Sequence, residues 1–157
     1  MNIRAVEPDV DAAALLAGAQ FIDAYSVLTD DAALDARHAA EKMLGRSSRW
    51  IRALMALRDL FVAPFGLKTA ETARRASASR IGIFPVLNET PQRIVAGLND
   101  SHLDFRVVVD VAGEGVGRRV TATTLVLTHN LLGRVYLAII LPFHRLIVRS
   151  MLRQVAR

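Results

Sequence analysis

The 157-residue chain has no cysteine, which excludes disulfides, a thiol nucleophile and a thiolate-bound metal and points to a cytoplasmic setting. Lysine is nearly absent: Lys42 and Lys68 are the only two, so arginine carries almost all of a formal net charge of +5. Aromatic residues make up only 6% of the chain and are not interleaved with the basic ones in any recognised module, so nucleic acid is not an expected partner. Neither GxSxG nor HExxH occurs, and no His and carboxylate cluster has reliable metal spacing. His38 and Glu41, three apart on one helix, are too weak a signal. No catalytic residue, metal or cofactor is therefore assigned. Residues 1–11 lack the basic start and apolar stretch of a secretory signal. The longest apolar stretch, Leu131 to Val148, is interrupted by Arg134, Pro142, His144 and Arg145, so it is expected to be a buried helix and not a transmembrane segment.

What is present is ample core material, with 52% hydrophobic and 22% charged residues. One domain over residues 1–157 is the expectation for a chain of this length. Alternation over Leu15 to Leu28 predicts a first strand. Thr29-Asp30-Asp31 offers caps for an Ala-rich helix over Ala32 to Leu44, ended by Gly45. Ser47 and Ser48 can cap a second helix, in which Trp50, Leu54, Leu57 and Phe61 recur at helical spacing until Pro64 and Gly66 stop it. Lys68 to Ser79 is polar and Ala-rich, and reads as a connection or an edge strand.

From Arg80 the texture becomes β. Strands are predicted over Ile81 to Leu87, Arg93 to Leu98, Leu103 to Val111 and Arg118 to Thr128, the last two joined as a hairpin through Gly113-Glu-Gly-Val-Gly117. That glycine run precedes a strand and not a helix, so it is no phosphate loop. Asn130 can cap a final helix from Leu131 to about Ala156, roughly 37 Å long at 1.5 Å per residue. Pro142 is expected to kink it. Arg145, Arg149, Arg153 and Arg157 form a basic stripe on that helix. It reads as a solvated face, though anionic lipid, nucleic acid or an acidic partner would also suit it. An α+β fold follows, with a curved antiparallel sheet wrapped around the long C-terminal helix. If the sheet curves, a space for an apolar ligand opens between the two.

Arg52-Ala-Leu-Met-Ala-Leu-Arg-Asp-Leu60, Phe65-Gly-Leu-Lys68, Ile81-Gly-Ile-Phe-Pro-Val-Leu87 and His102-Leu-Asp-Phe-Arg106 resemble the bacterial domain-of-unknown-function family 2867. So do Val120-Thr-Ala-Thr-Thr124 with Thr128-His-Asn130, and Leu141-Pro-Phe-His-Arg145, in matching order. The resemblance implies a distant relation to the helix-grip, START-like superfamily of lipid carriers, hormone receptors and polyketide cyclases. It supports the fold and raises the expectation of an apolar cavity, but assigns no reaction.

The candidate ligand-binding residues are Trp50, Phe84, Phe105, Tyr136, Phe143 and His144, with Asp104 and Arg106 as polar groups orienting a ligand head. Plain core packing is the competing account for the aromatic residues. A single structural hydrogen bond is the alternative for His144. His102, Asp104, Arg106 and Asp110 share one strand parity, which is equally a solvent or oligomer face laced with weak ion pairs. His129 reads as part of a capped strand-to-helix corner. The expected function is a non-catalytic binding protein for a small apolar or amphipathic molecule. Two alternatives stand beside it. One is a polyketide-cyclase or dehydratase-like enzyme using His144 or the Asp104 and Arg106 pair. The other is an interaction or auxiliary domain acting as a homodimer.

Overall fold

Strict alternation in the two longest strands organises the molecule. In the computed structural model, which describes residues 2–45, 49–62 and 79–157, β1 (Arg4–Val6) is followed by α1 (Ala12–Leu15) and β2 (Phe21–Thr29). Next come α2 (Ala36–Ala40), which runs on as a π-helical turn over Glu41–Gly45, and α3 (Arg49–Val62). β3 (Arg80–Ile81), β4 (Phe84–Glu89), β5 (Arg93–Asn99), β6 (Leu103–Glu114), β7 (Gly117–Thr128) and α4 (Leu131–Val155) complete the order. All seven strands form one antiparallel sheet in the order β1-β2-β7-β6-β5-β4-β3. The sheet and C-terminal helix form the helix-grip arrangement expected from the sequence.

The β6–β7 hairpin turns as expected, with Glu114 opposite Gly117 and Gly115 at a φ of 59°, a conformation that favours glycine. One parity of the sheet, including Val107, Val109, Val111, Val120 and Ala122, forms the main core with Ile147, Val148, Met151, Leu152 and Val155 of α4. The opposite parity is not simply solvated. Val95, Val108 and Leu125 form a second buried cluster with Leu16, against which Leu15 of α1 packs. Thr123 Oγ1 is also buried, with no hydrogen-bond partner among the described residues.

Several expectations shift. The first strand begins at Phe21 and not Leu15, because Leu15 ends α1, which Asp11 caps by accepting from the Ala14 N–H at 3.1 Å, and Gly18 turns the chain at a φ of 80°. The Ala-rich helix starts four residues late. Thr29 and Asp31 serve local turns instead, and Asp35 is the cap, accepting from the His38 N–H at 2.8 Å. The caps Ser47 and Ser48, the stop at Pro64 and Gly66, and the segment from Lys68 to Ala78 lie outside the described residues. β1 and α1 have no counterpart in the sequence reading.

Asn130 caps α4 as expected, accepting from the Gly133 N–H at 3.0 Å. The helix runs through Pro142 without a break; Ala138 and Pro142 both lie on its exposed side, where water can satisfy the carbonyl that proline leaves unbonded. The helix is buried chiefly in its C-terminal half, at Ile147, Val148, Met151, Leu152 and Val155. It is the one helix among the described residues long and apolar enough to cross a membrane, yet only 17% of its most apolar window is buried. The expectation of a buried helix therefore holds for half of it.

Candidate functional site

Where the N-terminal half of α4 lies over the sheet, the two layers do not close, leaving a cavity of about 180 Å³. Strand alternation supplies its floor: Phe21 on β2, Phe105 and Val107 on β6, and Ala122, Thr124 and Val126 on β7 all point to one face. The roof is the inward side of α4, with Tyr136, Ile140 and His144 one helical turn apart. Met43 and Leu44 of the π-helical turn, with Met55 of α3, border it too. Phe84 and Phe105 meet within it, their ring centroids 5.3 Å apart.

The wall is almost wholly apolar, which makes its polar members informative. His144 donates from Nε2 to Asp23 Oδ1 at 3.0 Å, and its ring meets Phe21 edge-on at 5.3 Å. The imidazole and carboxylate are thus held as a pair by elements at opposite ends of the sequence. At the helix start, His102 Nδ1 accepts from the Asn130 amide at 2.8 Å, and the His129 N–H donates to the His102 carbonyl at 2.9 Å. Gly133 is required there, because a Cβ would come within 2.1 Å of that same carbonyl oxygen. This contact fixes α4 against the β5–β6 turn, beside Asp100, His102, Leu103 and Leu132 of the cavity wall.

Four of the expected ligand-binding residues therefore converge: Phe84, Phe105, Tyr136 and His144. The side chain of Trp50, on α3, lies outside the described residues. Phe143 does not join them; it is 52% exposed. The physical reason is that α4 is apolar on nearly its whole circumference here. Spacing alone could not distinguish the inward face from its neighbour, one residue and about 100° away.

Asp104 and Arg106 are also corrected. They flank Phe105, so the pleat turns them to the other side of the sheet. Asp104 lies 3.0 Å from His129 Nε2, and Arg106 donates to Asn99 Oδ1 at 2.7 Å and to the Phe105 carbonyl at 2.9 Å. Burial pulls the Arg106 guanidinium below its ordinary pKa, with Asp104 partly opposing the shift. Asp110 pairs with Arg93, which it holds above the usual arginine pKa against the opposing effect of burial. The Asp104–His129 and Arg93–Asp110 contacts are the ion pairs that the alternative account of this strand parity expected.

Sequence reasoning missed Asp23, although a signal existed: it shares its parity with Phe21, Tyr25 and Val27, so a carboxylate stands among core-facing residues. No group of His and acidic residues able to hold a metal ion is found among the described residues.

The family model described as "Protein of unknown function (DUF2867)" matches residues 15–151. Among solved structures, CalU16 from Micromonospora echinospora is similar over 85% of this chain and 80% of its own, at 13% identity and a TM-score of 0.33. Protein Ms6760 from Mycobacterium smegmatis is similar over 98% of this chain and 96% of its own, at 8% identity and a TM-score of 0.30. No curated protein matches the chain.

Proposed function

The chain belongs to the DUF2867 family, and from that premise we propose that it is a binding protein for a small apolar or amphipathic molecule held between the sheet and α4. The observation that carries this reading is the cavity of about 180 Å³, apolar on floor and roof, with His144 as a polar mark in its wall and Asp23 as that residue's hydrogen-bond partner. Burial of apolar ligand surface drives binding at roughly 25 cal/mol per Å². The histidine offers a hydrogen bond that fixes the orientation of a ligand's polar end. A volume near 180 Å³ suits a ligand well below drug size, because drug-sized sites occupy about 300–1,000 Å³. Native mass spectrometry of the purified chain, followed by organic extraction, tests the proposal. A retained small molecule, or saturable binding of a fluorescent apolar probe that competes with added fatty alcohols, is expected. Neither retention nor saturable binding would refute it.

One observation favours a second reading, a cyclase or dehydratase-like enzyme: an imidazole in the wall of an apolar cavity, hydrogen-bonded to a carboxylate, is suited to moving a proton on a bound substrate. In that case His144 is the acid or base and Asp23 orients it. Asp104 and Arg106 have no part in either reading.

A further inference from the structure

The outward side of α4 carries a second apolar surface that the cavity does not use. Leu131, Val135, Ile139, Phe143 and Leu146 follow one another along it, with Leu131 75% and Leu146 60% exposed. Their spacing of four, four, four and three residues makes a continuous stripe. Beside it stand Arg134, Arg145, Arg149 and Arg153, with Arg157 just beyond the helix. Residues 131–157 contain no aspartate or glutamate at all. None of these five arginines has an ion-pair partner among the described residues.

An uninterrupted apolar stripe flanked by cations on one helix matches the interfacial region of an anionic bilayer. Apolar side chains enter the acyl boundary there while guanidinium groups meet lipid phosphates. We propose that α4 docks the protein, through this outward face, onto the surface of a membrane containing anionic lipid.

Two alternatives fit less well. Self-pairing of two copies through this face would bring arginine rows of like sign together in a low-dielectric contact. Spanning the bilayer would strip Ile147, Val148, Met151, Leu152 and Val155 from the sheet they bury. Docking flat keeps the inward side on the sheet and uses the outward side alone. It also brings the cavity close to a reservoir of apolar molecules. Leu141 belongs to the cavity wall and is itself 37% exposed, so the apolar interior reaches the surface of the docking helix.

The test is vesicle flotation of the full chain with phosphatidylcholine mixed with phosphatidylglycerol, compared with phosphatidylcholine alone. Flotation with the anionic vesicles, weakened by salt, is expected. Leu131→Glu with Phe143→Glu should abolish it without changing the circular dichroism spectrum, because both side chains point outward. The independent variant Arg134→Gln, Arg145→Gln, Arg149→Gln leaves the apolar stripe intact. It should weaken binding on the order of a hundredfold, at about fivefold for each arginine near the surface. Absence of flotation with anionic vesicles would overturn the proposal, as would equal binding to both vesicle types or a soluble dimer that the Glu variants dissociate. Because the readout is lipid association and not ligand retention, docking and cavity binding can fail separately.

Discussion

Replacing Ala122 with leucine distinguishes a real cavity from a packed core by the sign of its effect. Ala122 lies on the cavity floor and is 2% exposed, so leucine adds three carbon atoms that can only enter the space beneath α4. Each buried methylene contributes about 0.8 kcal/mol, roughly 2 kcal/mol together. Restricting the leucine rotamers costs about 0.5–1 kcal/mol. With a space of about 180 Å³ available, the net expectation is stabilisation by about 1–2 kcal/mol. In a filled core the same change overpacks and destabilises by about 1–3 kcal/mol. Urea unfolding, with the slope compared between variants, measures the difference directly. In a thermal melt, stabilisation of this size corresponds to a rise of roughly 2–8 °C for a chain of this length. The substitution should also eliminate saturable probe binding. A loss of stability of 1 kcal/mol or more at unchanged slope would refute the reasoning, because the added carbons would then have met atoms and not space.

Asp23→Ala and His144→Ala should each destabilise the protein, and the double variant should cost less than their sum by about 0.5–3 kcal/mol, as measured in a denaturant double-mutant cycle. Strict additivity would mean that the pair does not interact in solution. Gly133→Ala, whose Cβ would lie 2.1 Å from the His102 carbonyl oxygen, should destabilise by about 1–3 kcal/mol, read from the denaturation midpoint. Asp35→Ala should cost about 1 kcal/mol, whereas Asp35→Asn should keep the cap. The Asp35 carboxyl is held below its ordinary pKa chiefly by the His38 backbone N–H. Its charge-dependent contribution is therefore complete above about pH 3.9 and fades as the pH falls through the lower folded value. A difference between wild type and Asp35→Asn that grows above that pH instead would contradict this sign.

The strands from β5 to β7 were legible because their alternation is clean and their turns carry Asn, Asp and Gly; the single strand expected over Ile81 to Leu87 is instead β3 and β4, folded back on each other at Gly82 with its φ of 59°. The Asn130 cap and the extent of α4 were equally plain. β1 and α1 were not, since three- and four-residue elements carry too few positions for a period, and β1 exists through its pairing with β2. Phe84, Phe105, Tyr136 and His144 could be selected as aromatic or polar residues on apolar elements. Phe143 was misassigned because a helix apolar nearly all round gives no bearing. Asp104 and Arg106 show the opposite limit: their chemistry invited a role that the pleat denies them. The association of Asp23 with His144 depends on the meeting of β2 and α4, which local patterns do not encode.

One inner junction of the sheet joins β2 to β7, with Phe21 opposite Val126. As the polypeptide leaves the ribosome, β2 has only β1 to pair with until β7 follows it out. Closing so long a loop is entropically slow compared with zipping neighbouring hairpins. The β2–β7 junction therefore forms after the β6–β7 hairpin, and the grip on α4 can tighten only once α4 itself has emerged.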